Sequence, residues 1–202
     1  MGEEYKEITG YHGSEREKCN QIVSEQKFIP GKDEDNEDFL GRGVYFFLLN
    51  EHAVWWNLKK AKDKGKVNLK YNDYIDSYAV VSAQIVVPKN KVLDFENISD
   101  VVKYDKICKR FQKEFEDDEE YANAKYKDRA IINFLYKRGY MDDIYVIRKI
   151  IGQKTNTVDL NVGDYLQRNI ICVKNDKIIN NIKIEKNIEN YVYNNIRYIS
   201  FY

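Results

Sequence analysis

The chain has 202 residues, 33 Lys and Arg against 33 Asp and Glu, two His and a formal net charge of zero. That length suits one domain with a real core, and 43% hydrophobic residues with 17 Tyr and 9 Phe exclude a disordered chain. Zero net charge argues against grip on nucleic acid by bulk charge, which needs clustered Lys and Arg. Two histidines and three scattered cysteines (Cys19, Cys108, Cys172) offer few ligands for a closed zinc site and no disulfide framework. The opening MGEEYKEITG lacks the basic start and apolar core of a secretory signal. No apolar run nears the roughly 20 residues that cross a bilayer. The expectation is a soluble, cytoplasmic protein with no membrane partner, folded as a single domain over residues 1–202.

In chain order, residues 5–12 read as a strand that ends in a Tyr11-His12-Gly13-Ser14 turn. Ser14 with Glu17 has the spacing of a capping box and predicts a helix to about Gln26, with Cys19, Ile22 and Val23 on one face. An acidic stretch (33–38) leads to Gly41-Arg42-Gly43 and an apolar strand, Val44 to Leu48. Asn50 is placed to cap a second helix whose buried stripe is Ala53, Val54, Leu58 and Ala61. Residues 78–87 form a β-branched strand closed by Pro88, and Val92 to Phe95 another. From about 99 to 138 the period is helical, with Ala130, Ile131, Phe134 and Leu135 as a core stripe and Gly139 as the stop. Ile144 to Ile151 and Ile170 to Val173 are further strands, and 191–202 leans toward strand. Strands and helices mix without regular βαβ spacing, so the fold class is α+β with a helical insert at about 99–138.

Common catalytic templates are absent: the sequence has no nucleophile elbow, P-loop, dinucleotide fingerprint or paired-histidine zinc helix. What stands out lies in the first sixty residues. His12-Gly13-Ser14 sits at a strand end. About thirty residues later comes Gly41-Arg42-Gly43-Val44-Tyr45-Phe46-Phe47, and eleven residues past Tyr45 comes Trp56 on a helix.

On these residues the sequence resembles the diphtheria-toxin-like and poly(ADP-ribose)-polymerase-like ADP-ribosyltransferases. Their first motif is a strand-end His-Gly-Thr/Ser and their second a Gly-x-Gly-Ile/Val-Tyr-Phe strand leading into a helix. Later segments are similar to a bacterial branch: Ala-Val-Val-x-Ala, Val-Leu-Asp-Phe, Gly-Tyr-Met-Asp-Asp-Ile-Tyr-Val-Ile-Arg and Ile-Ile-Cys-Val-Lys-Asn. The likeness touches about residues 5–180, with its specificity in 11–56. It implies split antiparallel β-sheets with flanking helices and NAD bound between the halves.

By that resemblance His12 bonds the adenosine ribose, and Gly13 lets the backbone approach the nicotinamide carboxamide. Tyr45 and Trp56 sandwich the nicotinamide ring, whose positive charge favours electron-rich aromatic faces. Ser14 bonds the ligand or caps the helix, and Ala53 leaves room for the carboxamide. The implied reaction breaks the nicotinamide–ribose bond of NAD, needs no metal, and passes ADP-ribose to an acceptor.

Many relatives place a glutamate at the start of a late strand, and here the pattern departs. The segment Leu166 to Lys174 has none. One count puts the position at Asn169 and another at Ile170, while Gln167 shares Asn169's face by strand alternation. Asn169 and Gln167 are the candidates, and an amide is a poor general base, so single transfer is expected rather than polymer growth. The macromolecular acceptor, protein or nucleic acid, stays open. Lys59 to Lys66 could meet phosphates or be a solvated helix end, and the insert could form a wall facing the acceptor. Small bacterial proteins of this class are commonly toxins or phage-defence effectors, which implies an antitoxin or immunity partner. The rivals are a non-catalytic NAD or ADP-ribose sensor of the same fold and a related RNA-modifying transferase.

Overall fold

The first strand is longer than its sequence pattern suggests. In the computed structural model, which describes residues 4–28, 39–65, 70–123, 127–154 and 165–186 with Ile188 and Val192, β1 runs Tyr5–Glu15. It pairs residue by residue with β3 (Tyr78–Pro88), from Tyr5↔Pro88 to Glu15↔Tyr78. Ser14 therefore lies inside a ladder opposite Ala79, and the expected capping box does not form. Helix α1 (Arg16–Glu25) follows directly and has no side-chain cap. It ends at Gln26 in the left-handed region, whose N–H returns to Ile22 and Val23 carbonyls.

The remaining elements are β2 (Val44–Phe47), α2 (Asn50–Asp63), α3 (Tyr71–Ser77), β4 (Val92–Asp94), α4 (Ile98–Glu116), α5 (Glu119–Asn123), α6 (Lys127–Lys137), β5 (Val146–Lys154), β6 (Tyr165–Val173) and β7 (Ile179–Ile184). Asn50 is the first residue of α2 rather than its cap, which is Leu49. The α2 stripe is buried as expected, and α6 buries Ala130, Ile132, Phe134 and Leu135, with Ile131 only partly covered. Gly139 takes φ +75°, the left-handed stop that ends α6. Helix α3 and strand β7 lack a clear period in the sequence, because both are short and polar on one side. The end segment 191–202 lies outside the described residues except for Val192.

The strands form one seven-stranded sheet in the order β4-β5-β6-β2-β1-β3-β7. Its pairings are antiparallel except β4 with β5, which is parallel. The fold is mixed α+β. Strand alternation divides the core into two layers. Phe47, Val80, Ile147, Ile170 and Cys172 meet α2, α4 and α6 on one face. Val44, Phe46, Val81, Val146, Ile171 and Val173 meet Cys19 of α1 and Phe28 on the other. Among the described residues no helix is long and apolar enough to cross a membrane.

Candidate functional site

β1 and β2 share one registered pair, Tyr11↔Phe47, and there the ladder stops. The next residue of β1 is His12, and its Nδ1 lies 2.9 Å from the Tyr45 carbonyl oxygen on β2. A carbonyl can only accept, so Nδ1 carries the proton and Nε2 is left as an acceptor. The ring packs edge-on against Phe28 and Phe46, with centroids 5.4 and 6.1 Å away. Burial holds His12 below the ordinary histidine value; the Tyr45 carbonyl pulls the other way, and the charge of Lys60 adds to the depression. A neutral imidazole with a free lone pair can receive a hydroxyl hydrogen, as a ribose contact requires.

Gly13 is demanded by packing. A Cβ there would collide with the Ala53 carbonyl and sit 2.8 Å from Asn57 Oδ1, because α2 lies directly on β1. Asn57 is fully buried and donates Nδ2 to the Ala79 carbonyl at 2.9 Å and to the Tyr74 hydroxyl at 3.1 Å. Its signal in the sequence is a lone amide four residues after Ala53 within an apolar stripe, a position outside the motifs. Ser14 is partly buried and shares the His12 side of β1 by alternation.

The phenol of Tyr45 is committed locally. Its hydroxyl accepts from the Leu40 N–H at 2.8 Å and donates to the Gly41 carbonyl at 2.6 Å. Gly41 has φ +71°, a backbone that glycine adopts without strain. Lys174 Nζ donates to the Leu40 and Arg42 carbonyls, each at 2.6 Å, and the Arg42 N–H reaches Asn133 Oδ1 at 2.9 Å. The glycine loop is thus held from β2, β6's end and α6 together. Nothing in the sequence pairs Lys174 with residues 134 and 132 positions away, or Asn133 with one 91 positions away.

Trp56 is partly buried beside Phe47, and the ammonium groups of Lys59 and Lys60 each lie 5.1 Å from its ring centre. Such a pairing holds cations against an electron-rich face, and Lys59 also reaches Asp63 Oδ2 at 3.0 Å. The neighbouring Trp55 carries the Arg168 guanidinium at 3.4 Å from its ring centre, and Arg168 is buried. Burial pushes Arg168 down to about 10 and His52 down to about 4, the Arg168 charge adding to the shift of His52.

On β6, Asn169 Oδ1 accepts from Arg148 Nη2 at 3.0 Å, and the Leu48 N–H reaches the Asn169 carbonyl at 3.2 Å. Gln167 pairs with Gly152 in the β5–β6 ladder. The structure thus brings His12 to Tyr45 and Gly13 to Ala53, but it divides the candidates between two faces. Tyr45, Ala53 and Trp56 pack with the α2 layer. His12 packs with Phe28 and Phe46, and Asn169 shares that side with Ile171 and Val173. Hollows of about 320 and 230 Å³ lie near Lys64 and Asp76 and near Tyr71 and Ile184; none of these candidates lines either.

The site so defined belongs to a mixed α+β chain with a neutral histidine at a thin seam in its sheet. No family model matches the chain, and no solved structure matches it. It is similar to an uncharacterized protein of Methanocaldococcus jannaschii, at 21% identity over 93% of each chain.

Proposed function

We propose that this protein is an NAD-dependent mono-ADP-ribosyltransferase, a toxin or defence effector that passes ADP-ribose to a macromolecular acceptor, protein or nucleic acid, and releases nicotinamide. The observation that carries this reading is the His12 Nδ1 bond to the Tyr45 carbonyl. It ties the His-Gly-Ser motif to the Gly-x-Gly-Val-Tyr-Phe motif across 33 residues of sequence. The fold in this reading is a split sheet, β4-β5-β6-β2 against β1-β3-β7, hinged at Tyr11↔Phe47. The dinucleotide straddles that seam, which is how it reaches groups on both faces.

The chemistry follows from the groups present. His12 Nε2 accepts from a ribose hydroxyl, and the Tyr45 and Trp56 faces receive the nicotinamide. Lys59 and Lys60 offer charge to the pyrophosphate. The bond between ribose C1′ and the nicotinamide nitrogen breaks, its electron pair leaves with the now neutral ring, and an acceptor lone pair adds to C1′ as the acceptor's proton passes to solvent. Position and electrostatics supply most of the rate in such a reaction.

A second reading, a non-catalytic NAD or ADP-ribose sensor, is favoured by one feature: the late strand carries the amide of Asn169, whose oxygen Arg148 already occupies. Incubation with adenylate-labelled NAD and lysate, followed by protease or RNase on separate aliquots, separates the two. Label kept on macromolecules by the wild type and lost in His12→Ala and Tyr45→Ala supports transfer. Equal labelling by all three sinks the site. Absence of label with NAD binding in calorimetry supports the sensor.

A further inference from the structure

The polar chain Asp94–Arg148–Asn169 crosses three neighbouring strands, β4, β5 and β6. Arg148 Nη1 lies 2.9 Å from Asp94 Oδ2, and Nη2 lies 3.0 Å from Asn169 Oδ1. Asp94 is itself held, since its Oδ1 accepts the Glu96 N–H at 3.0 Å and its own N–H donates to Asp100 at 3.1 Å. A guanidinium can only donate, so the atom of Asn169 facing it must be the oxygen. The amide is thereby oriented: its NH₂ points away from Arg148. Among the described residues no acceptor takes that NH₂, and Asn169 is partly exposed. It lies on the same side of the sheet as His12, two strands and two residues away. Strand spacing and rise make that on the order of 12 Å, the span of part of a dinucleotide.

We infer that Arg148, braced by Asp94, is a positioning residue that presents Asn169 to the ligand as a hydrogen-bond donor. The late strand then grips an acceptor oxygen of the dinucleotide and removes no proton from the incoming group. This inference rests on the NAD reading above. It also bears on the acceptor: an amide donor cannot deprotonate a hydroxyl, so an acceptor's proton leaves to solvent or to a group other than Asn169.

Calorimetric titration of ADP-ribose, and separately of NAD, into the full chain tests it. The series is wild type, Arg148→Met, Asn169→Ala, the double variant and Asn169→Asp, each checked for folding by thermal melt. Arg148→Lys replaces Arg148→Met if the latter fails to fold. Arg148→Met should weaken ADP-ribose about tenfold, and the double variant should bind as Asn169→Ala does, within about twofold, because the two residues act as one unit. Asn169→Asp keeps the shape but sets an acceptor where a donor was, and should bind more weakly than Asn169→Ala. An Arg148 effect of equal size in both backgrounds overturns the inference, as does Asn169→Asp binding like wild type. A wild type that binds neither nucleotide removes the NAD reading itself, a different and recognisable result.

Discussion

The imidazole of His12 is hydrogen-bonded to the carbonyl of Tyr45 at 2.9 Å, at the point where the β1–β2 ladder stops after a single pair. A side chain therefore closes the seam that backbone pairing leaves open. His12→Ala would remove the hydrogen bond to the Tyr45 carbonyl and leave space between Phe28 and Phe46. The expected cost is about 2–4 kcal/mol, read from urea unfolding. A loss within error would show that the bond contributes nothing to the joint between the two strand groups.

Both histidines carry folded-state values below their ordinary 6.5, with burial as the first cause. The unfolded chain therefore takes up protons before the folded chain as pH falls. Their contribution is intact above about 6.5 and declines below it, down to about 4 for His52. Urea midpoints at pH 8 and pH 5 should show a lower value at pH 5, with a smaller drop in His52→Gln. A midpoint that rises on acidification contradicts the assignment.

Tyr45→Phe keeps the ring and removes the hydroxyl that holds Leu40 and Gly41. The expected cost is about 1–3 kcal/mol, with faster exchange of the Leu40 amide hydrogen. If the ring face is what the nicotinamide uses, Tyr45→Phe keeps most ADP-ribose labelling while Tyr45→Ala loses it. Equal loss in both would assign the role to the loop geometry instead.

Gly13→Ala introduces a Cβ against the Ala53 carbonyl and Asn57. Because one of these is helix backbone, α2 itself must move, at a cost of about 1–3 kcal/mol. Thermal unfolding measures it; an unchanged melting temperature would mean that α2 does not lie on β1 as described.

Lys174→Met removes the donor shared by the Leu40 and Arg42 carbonyls. Amide exchange in residues 40–43 should quicken while exchange in β3 stays unchanged. Uniform quickening across the sheet would indicate global destabilisation and no specific hold on the loop.

Periodicity made much of the fold legible. The α2 stripe, the long β3, the helical stretch before Gly139 and the strands around Ile147 and Ile171 all carry apolar residues at the spacing of their element. Ser14 shows the limit of local signals: a good capping pattern yields when pairing with β3 extends the strand by three residues, to Glu15. Short elements such as α3 and β7 were hidden because few of their positions are buried.

The sequence by itself determined the two motifs, the apolar periods and the scarcity of His and Cys, since these depend only on residue type and spacing. Tertiary structure decided which groups meet. It turned His12 toward the Tyr45 carbonyl, spent the Tyr45 hydroxyl on the glycine loop, and set Arg148 on the oxygen of Asn169. It also separated the faces of His12 and Trp56. Those outcomes depend on strand register and helix placement, and contacts between residues 21 to 134 positions apart leave no periodic trace in the chain that makes them.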